Sequence, residues 1–129
     1  MAVTHTTTVR NGLADYVVDL IDAGTAGKLQ LRVGGTAASP GTLVASLTFS
    51  AEAFGNATGG VATAATITDD TAAIGNASPV STATLEDSAG TVCAHCAVGT
   101  SGSDINLSST TIAANDTVSI DPLTYTAPL

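Results

Sequence analysis

The sequence predicts a mainly β fold, an antiparallel β-sandwich or jelly-roll-like domain carrying one N-terminal amphipathic α-helix. Three observations lead there. Apolar residues from Val9 to Ile21 recur at helical spacing, and after Gly24 the period shortens from about 3.6 residues to 2. From that point on, short Thr/Ala/Val-rich runs alternate with Gly, Ser and Asn turn signals at roughly 8 to 15 residue intervals. No further helical stretch separates the runs, so a parallel sheet would have nothing to cover its faces. At 129 residues the chain reads as one domain, with residues 1–24 as arm and helix and residues 28–129 as the sandwich.

The helix comes first. Val9, Leu13, Tyr16, Val17 and Leu20 lie three and four residues apart and form one apolar stripe. Thr6, Thr7 or Thr8 can cap its start, and Gly24 can take the left-handed conformation just past its end. Its charges oppose the helix dipole, with Arg10 in the first turns and Asp19 and Asp22 near the last. Gly12 costs about 1 kcal/mol relative to alanine, so tertiary packing must hold this helix.

The strands follow in order. Leu29, Leu31 and Val33 alternate with Lys28, Gln30 and Arg32, which gives one dry and one wet face, and Gly34-Gly35 ends the run. Leu43, Ala45, Leu47 and Phe49 repeat the pattern, with Pro40-Gly41 as the expected turn between the two runs. Val61, Thr63, Ala65 and Ile67 form a third alternating set. Val80 to Leu85 and Thr91 to Val98 flank Asp87-Ser-Ala-Gly90 and make the clearest hairpin. Ile105 to Leu107, Thr110 to Ala113, Thr117 to Ile120 and Leu123 to Thr126 complete the set, with Pro122 separating the last two. The stretches Phe54 to Gly60 and Thr71 to Ser78 read as long mobile loops, or as arms that order on a partner.

Composition narrows the function classes. Although 44% of residues are apolar, many are alanine, and only two Phe, two Tyr and no Trp are present. A core that thin leaves little stability to spare and raises the expectation of assembly. The net charge of −8, with Arg10, Lys28 and Arg32 as the three basic residues, repels phosphate backbones and anionic membrane surfaces. Neither nucleic acid nor membrane is therefore an expected partner. The opening Met-Ala-Val-Thr-His-Thr-Thr-Thr lacks the charged and apolar regions of a secretory signal, which points to synthesis in a cytoplasm. Two cysteines are too few for the disulfide framework of a small secreted domain.

The candidate chemistry is sparse. Cys93-Ala-His95-Cys96 has the look of a thiol metal or redox motif. In an extended strand, however, three residues span about 10 Å and Cys93 and Cys96 face opposite sides, so they can neither bond nor share an ion. A structural zinc also needs four ligands, and the other histidine, His5, is near the terminus. Asp15, Asp19 and Asp22 share one helical face, as a solvated surface or as a charged contact with a basic partner. Asp69, Asp70, Asp116 and Asp121 could offer oxygens to calcium, but no EF-hand spacing is present and turn roles fit better. Serines lack a nucleophile elbow, and Gly34-Gly35 and Gly59-Gly60 lack phosphate-loop context. No catalytic, cofactor-binding or metal residue is assigned, and the chain is not expected to be an enzyme.

Several segments do carry a resemblance. Val9-Arg-Asn-Gly-Leu-Ala-Asp-Tyr-Val-Val-Asp-Leu-Ile-Asp-Ala-Gly24 and Ala53-Phe-Gly-Asn-Ala-Thr-Gly-Gly-Val-Ala-Thr-Ala-Ala-Thr-Ile-Thr-Asp-Asp70 resemble small proteins encoded in the virion-structure gene clusters of tailed bacteriophages. So do Asp87-Ser-Ala-Gly-Thr-Val92, Val98-Gly-Thr-Ser-Gly-Ser-Asp-Ile-Asn-Leu-Ser-Ser109 and Asp116-Thr-Val-Ser-Ile120, and together these cover nearly the whole chain. The Cys93 to Cys96 segment departs from the pattern. The resemblance implies a virion component on the capsid surface, a decoration or cement protein whose partners are the major capsid protein and copies of itself, as a homotrimer. On that expectation the N-terminal segment and Gly-rich loops touch the shell and strand faces meet sister copies. A tail, connector or fibre-associated component is the alternative, as is a receptor- or glycan-binding β-sandwich, although four aromatic residues leave little for a ligand platform.

Overall fold

A computed structural model describes residues 3–120 and 122–129. Met1 and Ala2 of the arm, and Asp121 of the calcium-ligand reading, lie outside the described residues. The chain is mainly β with one N-terminal helix. In order it forms α1 (Thr7–Ile21), β1 (Lys28–Gly35), β2 (Pro40–Thr48), β3 (Val61–Thr63), β4 (Thr82–Glu86), β5 (Val92–Gly99), β6 (Ile105–Asn106) and β7 (Thr124–Thr126).

Five strands make one sheet in the order β2-β1-β4-β5-β6, and β3 and β7 pair as a separate two-stranded sheet. All pairings are antiparallel except β5 with β6, which is parallel and short, Val98 opposite Ile105 and Gly99 opposite Asn106. The second layer is completed by the helix and loops, and the sandwich is left unclosed.

The alternation of Leu29 and Leu31 puts both fully inside, paired with Leu47 and Ala45 of β2 and with Leu85 and Ala83 of β4. Phe49 continues this face and stacks at a tilt against Phe54, ring centroids 5.6 Å apart. A register shift between Leu31 and Arg32 pairs Arg32 with Leu43 and skips Val44. Val44 is therefore buried while Leu43 is only half-buried.

Two turns show how local chemistry decides. Asp87 closes the β4–β5 hairpin as expected: its carboxylate accepts from the Ala89 and Thr91 amides at 3.0 and 2.8 Å. Pro40-Gly41, by contrast, is not the β1–β2 turn. Pro40 already pairs with Gly35, and the turn is Thr36 to Ser39, closed by the Thr36 amide on the Ser39 carbonyl at 2.9 Å. A proline at the first position of an edge strand lacks no bond the sheet needs, which permits this placement.

Later segments depart further. Within the third alternating set only Val61–Thr63 is a strand, and it buries Ala62 in place of Val61 and Thr63. Thr110 to Ala113 forms no strand, and Thr117 to Ile120 holds a single bridge, Val118 with Asp70. Short segments with backbone bonds to scattered loops lack the ladder that would make period 2 decisive.

Candidate functional site

The helix carries the largest surprise. Thr6 caps it, with its hydroxyl accepting from the Val9 amide, and Gly24 takes the expected left-handed turn at φ 96°. The residues turned inward, however, are Ala14, Val18 and Ile21, joined by Asn11, Asp15 and Asp22. Of the expected stripe, Val9, Leu13, Tyr16 and Leu20 face solvent, at 46, 39, 67 and 40% exposure, and Val17 is half-buried.

Backbone amides explain the inversion. The segment 53–60 passes beneath the helix, with few ladder partners for its amides. Asp22 accepts from Ala53 at 2.8 Å, Asp15 from Ala57 at 2.6 Å and Asn11 from Gly60 at 2.7 Å. A buried amide left without an acceptor costs about 1–3 kcal/mol, so three acceptors at helical spacing outweigh the partial exposure of four apolar side chains. Small Ala14 lets the helix approach closely. Arg10 completes the clamp: its Nη2 donates to the Ala127 carbonyl at 3.3 Å, and its guanidinium lies directly against Gly60.

Two expectations are corrected by this geometry. Phe54 to Gly60 is a loop tied down under the helix, with Phe54, Ala57 and Gly60 buried. The three helical carboxylates do not share one role either. Asp15 and Asp22 bind loop amides, and only Asp19 is on the exposed side. The 71–78 loop is likewise pinned, through the Ala73, Gly75 and Asn76 amides.

A second polar cluster occupies the face of the main sheet opposite the core. Arg32 and Glu86 pair at 3.0 Å with side-chain exposures of 15 and 5%. Thr84, fully buried, bonds to both partners, Gln30 reaches the other Glu86 oxygen at 3.5 Å, and Arg32 Nη1 donates to the Gly41 carbonyl at 2.9 Å. Alternation in β1 explains the placement, since Gln30 and Arg32 lie on the face away from Leu29 and Leu31. His95 stands in the same cross-strand row as Gln30 and Thr84.

Cys93 and Cys96 are free thiols on β5. Cys96 lies beside Ala83 on the core face; burial, and then Asp104, pushes its thiol up to about 11. Cys93 falls at the register shift opposite Glu86 and is raised by burial and then by Asp87. Both are poor nucleophiles at neutral pH. Asp70 accepts locally from the Ala72 amide and Asp116 from Ala113, which are turn roles, but Asp70 also reaches across to the Ser46 amide on β2 at 2.8 Å; no group of three metal-binding side chains occurs among the described residues.

Two adjoining clefts share Asp104 and Thr124. One, of about 430 Å³, lies between residues 104–108 on one side and residues 119–120 and 122–124 on the other. The other, of about 360 Å³, is bounded by Ala94–Cys96 on one side and Thr124–Thr126 on the other. Sequence reasoning missed the inward helix stripe, the Arg32–Glu86 pair and these clefts. The 4-residue step from Asn11 to Asp15 and the 7-residue step to Asp22 were the available signal for the first. Comparison of the chain with protein-family models, with curated proteins and with solved structures finds no match.

Proposed function

We propose that this chain is a structural component of a tailed-bacteriophage virion, a decoration or cement protein that sits on the outer capsid shell as a homotrimer and stabilises it. The observation that carries the reading is the solvent-facing helix stripe. Val9, Leu13, Tyr16 and Leu20 repeat at 4-3-4 spacing, the pattern of a helix-packing seam, on a helix already apolar on its inner side. A helix apolar on two sides is built to be covered twice.

The magnitudes suit an assembling protein. At these exposures the four large side chains present on the order of 400 Å², about half of what each partner contributes to a standard interface. Burial of that area is worth about 10 kcal/mol gross, against an association cost of about 4–15 kcal/mol. One such contact is therefore marginal in isolation. It becomes effective where many copies are held together on a shell and each bridges neighbours. The acidic chain would otherwise repel its own copies, and this stripe is the part of the helix surface where Asp19 is the lone exposed charge. In this arrangement the helix stripes meet between copies, and the shell contact falls to surfaces outside the clamped Phe54–Gly60 loop.

The test is the copy number of the chain in purified particles, by quantitative mass spectrometry against the major capsid protein. A ratio near one to one, or one trimer per local threefold, supports the decoration role. A dozen copies or fewer would move the chain to the tail or connector, and its absence from particles would overturn the virion reading.

A further inference from the structure

Among the described residues the edges of β5 and β7 are both open, and they line the same cleft. β5 has β4 on one side, while on the other only Val98 and Gly99 meet β6. The direction of the remaining polar groups follows from alternation. The Val98 amide donates to Ser81 on the β4 side at 3.0 Å, so the amides and carbonyls of His95 and Ala97 point the opposite way, to the open edge. The Ala97 amide indeed finds Asp104 there, at 2.8 Å. On β7 the bonds Ala64 to Leu123 and Ala127 to Gly60, both 2.8 Å, turn Tyr125 toward β3 and leave Thr124 and Thr126 pointing away from it. Ala94–Cys96 and Thr124–Thr126 are the two walls of the 360 Å³ cleft.

Open edges are usually blunted by lysine, proline or an inward charge. The β5 run Val92–Gly99 contains no lysine, proline or carboxylate, and neither does Thr124–Thr126. Asp104 places a carboxylate oxygen where a neighbouring strand's carbonyl would bond, and so satisfies one edge position and leaves the others open. What two facing rows of unpaired backbone groups recognise is an extended peptide, by strand addition.

We infer that this cleft is a strand-acceptor site whose occupant is the N-terminal arm of a second copy of this chain. The arm segment Val3-Thr-His-Thr6 lies outside the helix and is exposed along its length, with β-branched residues at three of its four positions. It carries no carboxylate and so adds no repulsion beside Asp104. Four extended residues reach about 13 Å, close to the span of the open edge from Cys93 to Ala97, about 16 Å. His5 Nδ1 lies 3.1 Å from the Leu129 carbonyl of its own chain, a contact the arm gives up when it inserts into the cleft of a second copy. The arm leads directly into the helix whose stripe is read as the contact between copies, so the inference rests on that assembly reading but not on the virion assignment.

The experiment places Cys at Val3 and Thr124 (Val3→Cys, Thr124→Cys) in a full-length chain carrying Cys93→Ser and Cys96→Ser, treated with a thiol oxidant at high protein concentration. Interchain disulfides between arm and cleft are expected. Bonds formed only within one chain, or none in a sample that is trimeric by light scattering, would overturn the inference. Hydrogen exchange on the unmodified chain provides an independent readout: the His95, Thr124 and Thr126 amides are expected to slow about tenfold or more from dilute to concentrated protein. Unchanged exchange in assembled protein would overturn arm insertion alone. A chain that stays monomeric at high concentration would overturn both arm insertion and the assembly reading.

Discussion

Replacing Asp15 by alanine tests the inverted helix most directly. Its Oδ1 accepts from the Ala57 amide at 2.6 Å, and Ala57 is only 9% exposed, so the amide cannot readily exchange the carboxylate for water. Loss of a hydrogen bond to a charged acceptor, with the donor left unpaired, costs about 1.5–3 kcal/mol. Partial exposure of Asp15 lowers the expectation to about 2 kcal/mol. For a chain of this length each kcal/mol moves the melting temperature by about 3–5 °C, so Asp15→Ala should melt about 6–10 °C below wild type. Asp15→Asn keeps an acceptor without the charge and should lose about half as much. Asp19→Ala is the control. Asp19 is exposed and sits near the helix C-terminus, where a negative charge opposes the dipole, so its removal should be neutral or stabilising by up to about 0.5 kcal/mol. Thermal and urea melts followed by circular dichroism, at protein concentrations low enough to exclude assembly, measure all three. Equal losses for Asp15→Ala and Asp19→Ala would refute the orientation of the helix and the account of why its apolar stripe is exposed.

Tyr16→Lys, at a side chain 67% exposed, should leave the monomer's melting unchanged within about 0.5 kcal/mol while abolishing concentration-dependent association in sedimentation equilibrium. Glu86→Ala should cost about 2–4 kcal/mol, because it strands the Arg32 guanidinium, whereas the double change Arg32→Leu, Glu86→Leu should cost less than that single change in the same urea titration. Gly60→Ala should destabilise by about 1–3 kcal/mol, since φ is +81° and the new Cβ would come within 2.7 Å of the Arg10 Cζ; pairing it with Arg10→Ala should be less than additive in a double-mutant cycle. Cys96 makes stability fall at alkaline pH. The unfolded chain releases this proton near the ordinary thiol value of 9.0 while the folded chain holds it to about 11, so between them the unfolded state binds fewer protons and stability drops as pH rises. Cys96→Ala should flatten that part of the pH–stability curve, and an unaltered slope would contradict the assignment.

Much of the fold was legible from local pattern. Leu29, Leu31 and the Asp87-Ser-Ala-Gly90 turn act through neighbours two to four residues away, and such periodicities survive reading one residue at a time. Gly24 and the threonine cap belong to the same class. The β3 register and the missing strands at 110–120 were not legible, because there the partners are loops distant in the chain and no face alternates strictly. For the candidate site the limit is sharper. The sequence by itself determines the apolar stripe of Val9, Leu13, Tyr16, Val17 and Leu20 and sets Asp15 and Asp22 on another face, without marking Ala14, Val18 and Ile21 as a second apolar side. Only the tertiary structure decides which faces inward, because that depends on what lies beneath. Here it is a backbone segment whose amides at Ala53, Ala57 and Gly60 need acceptors, and unsatisfied amides cost more than half-exposed leucines.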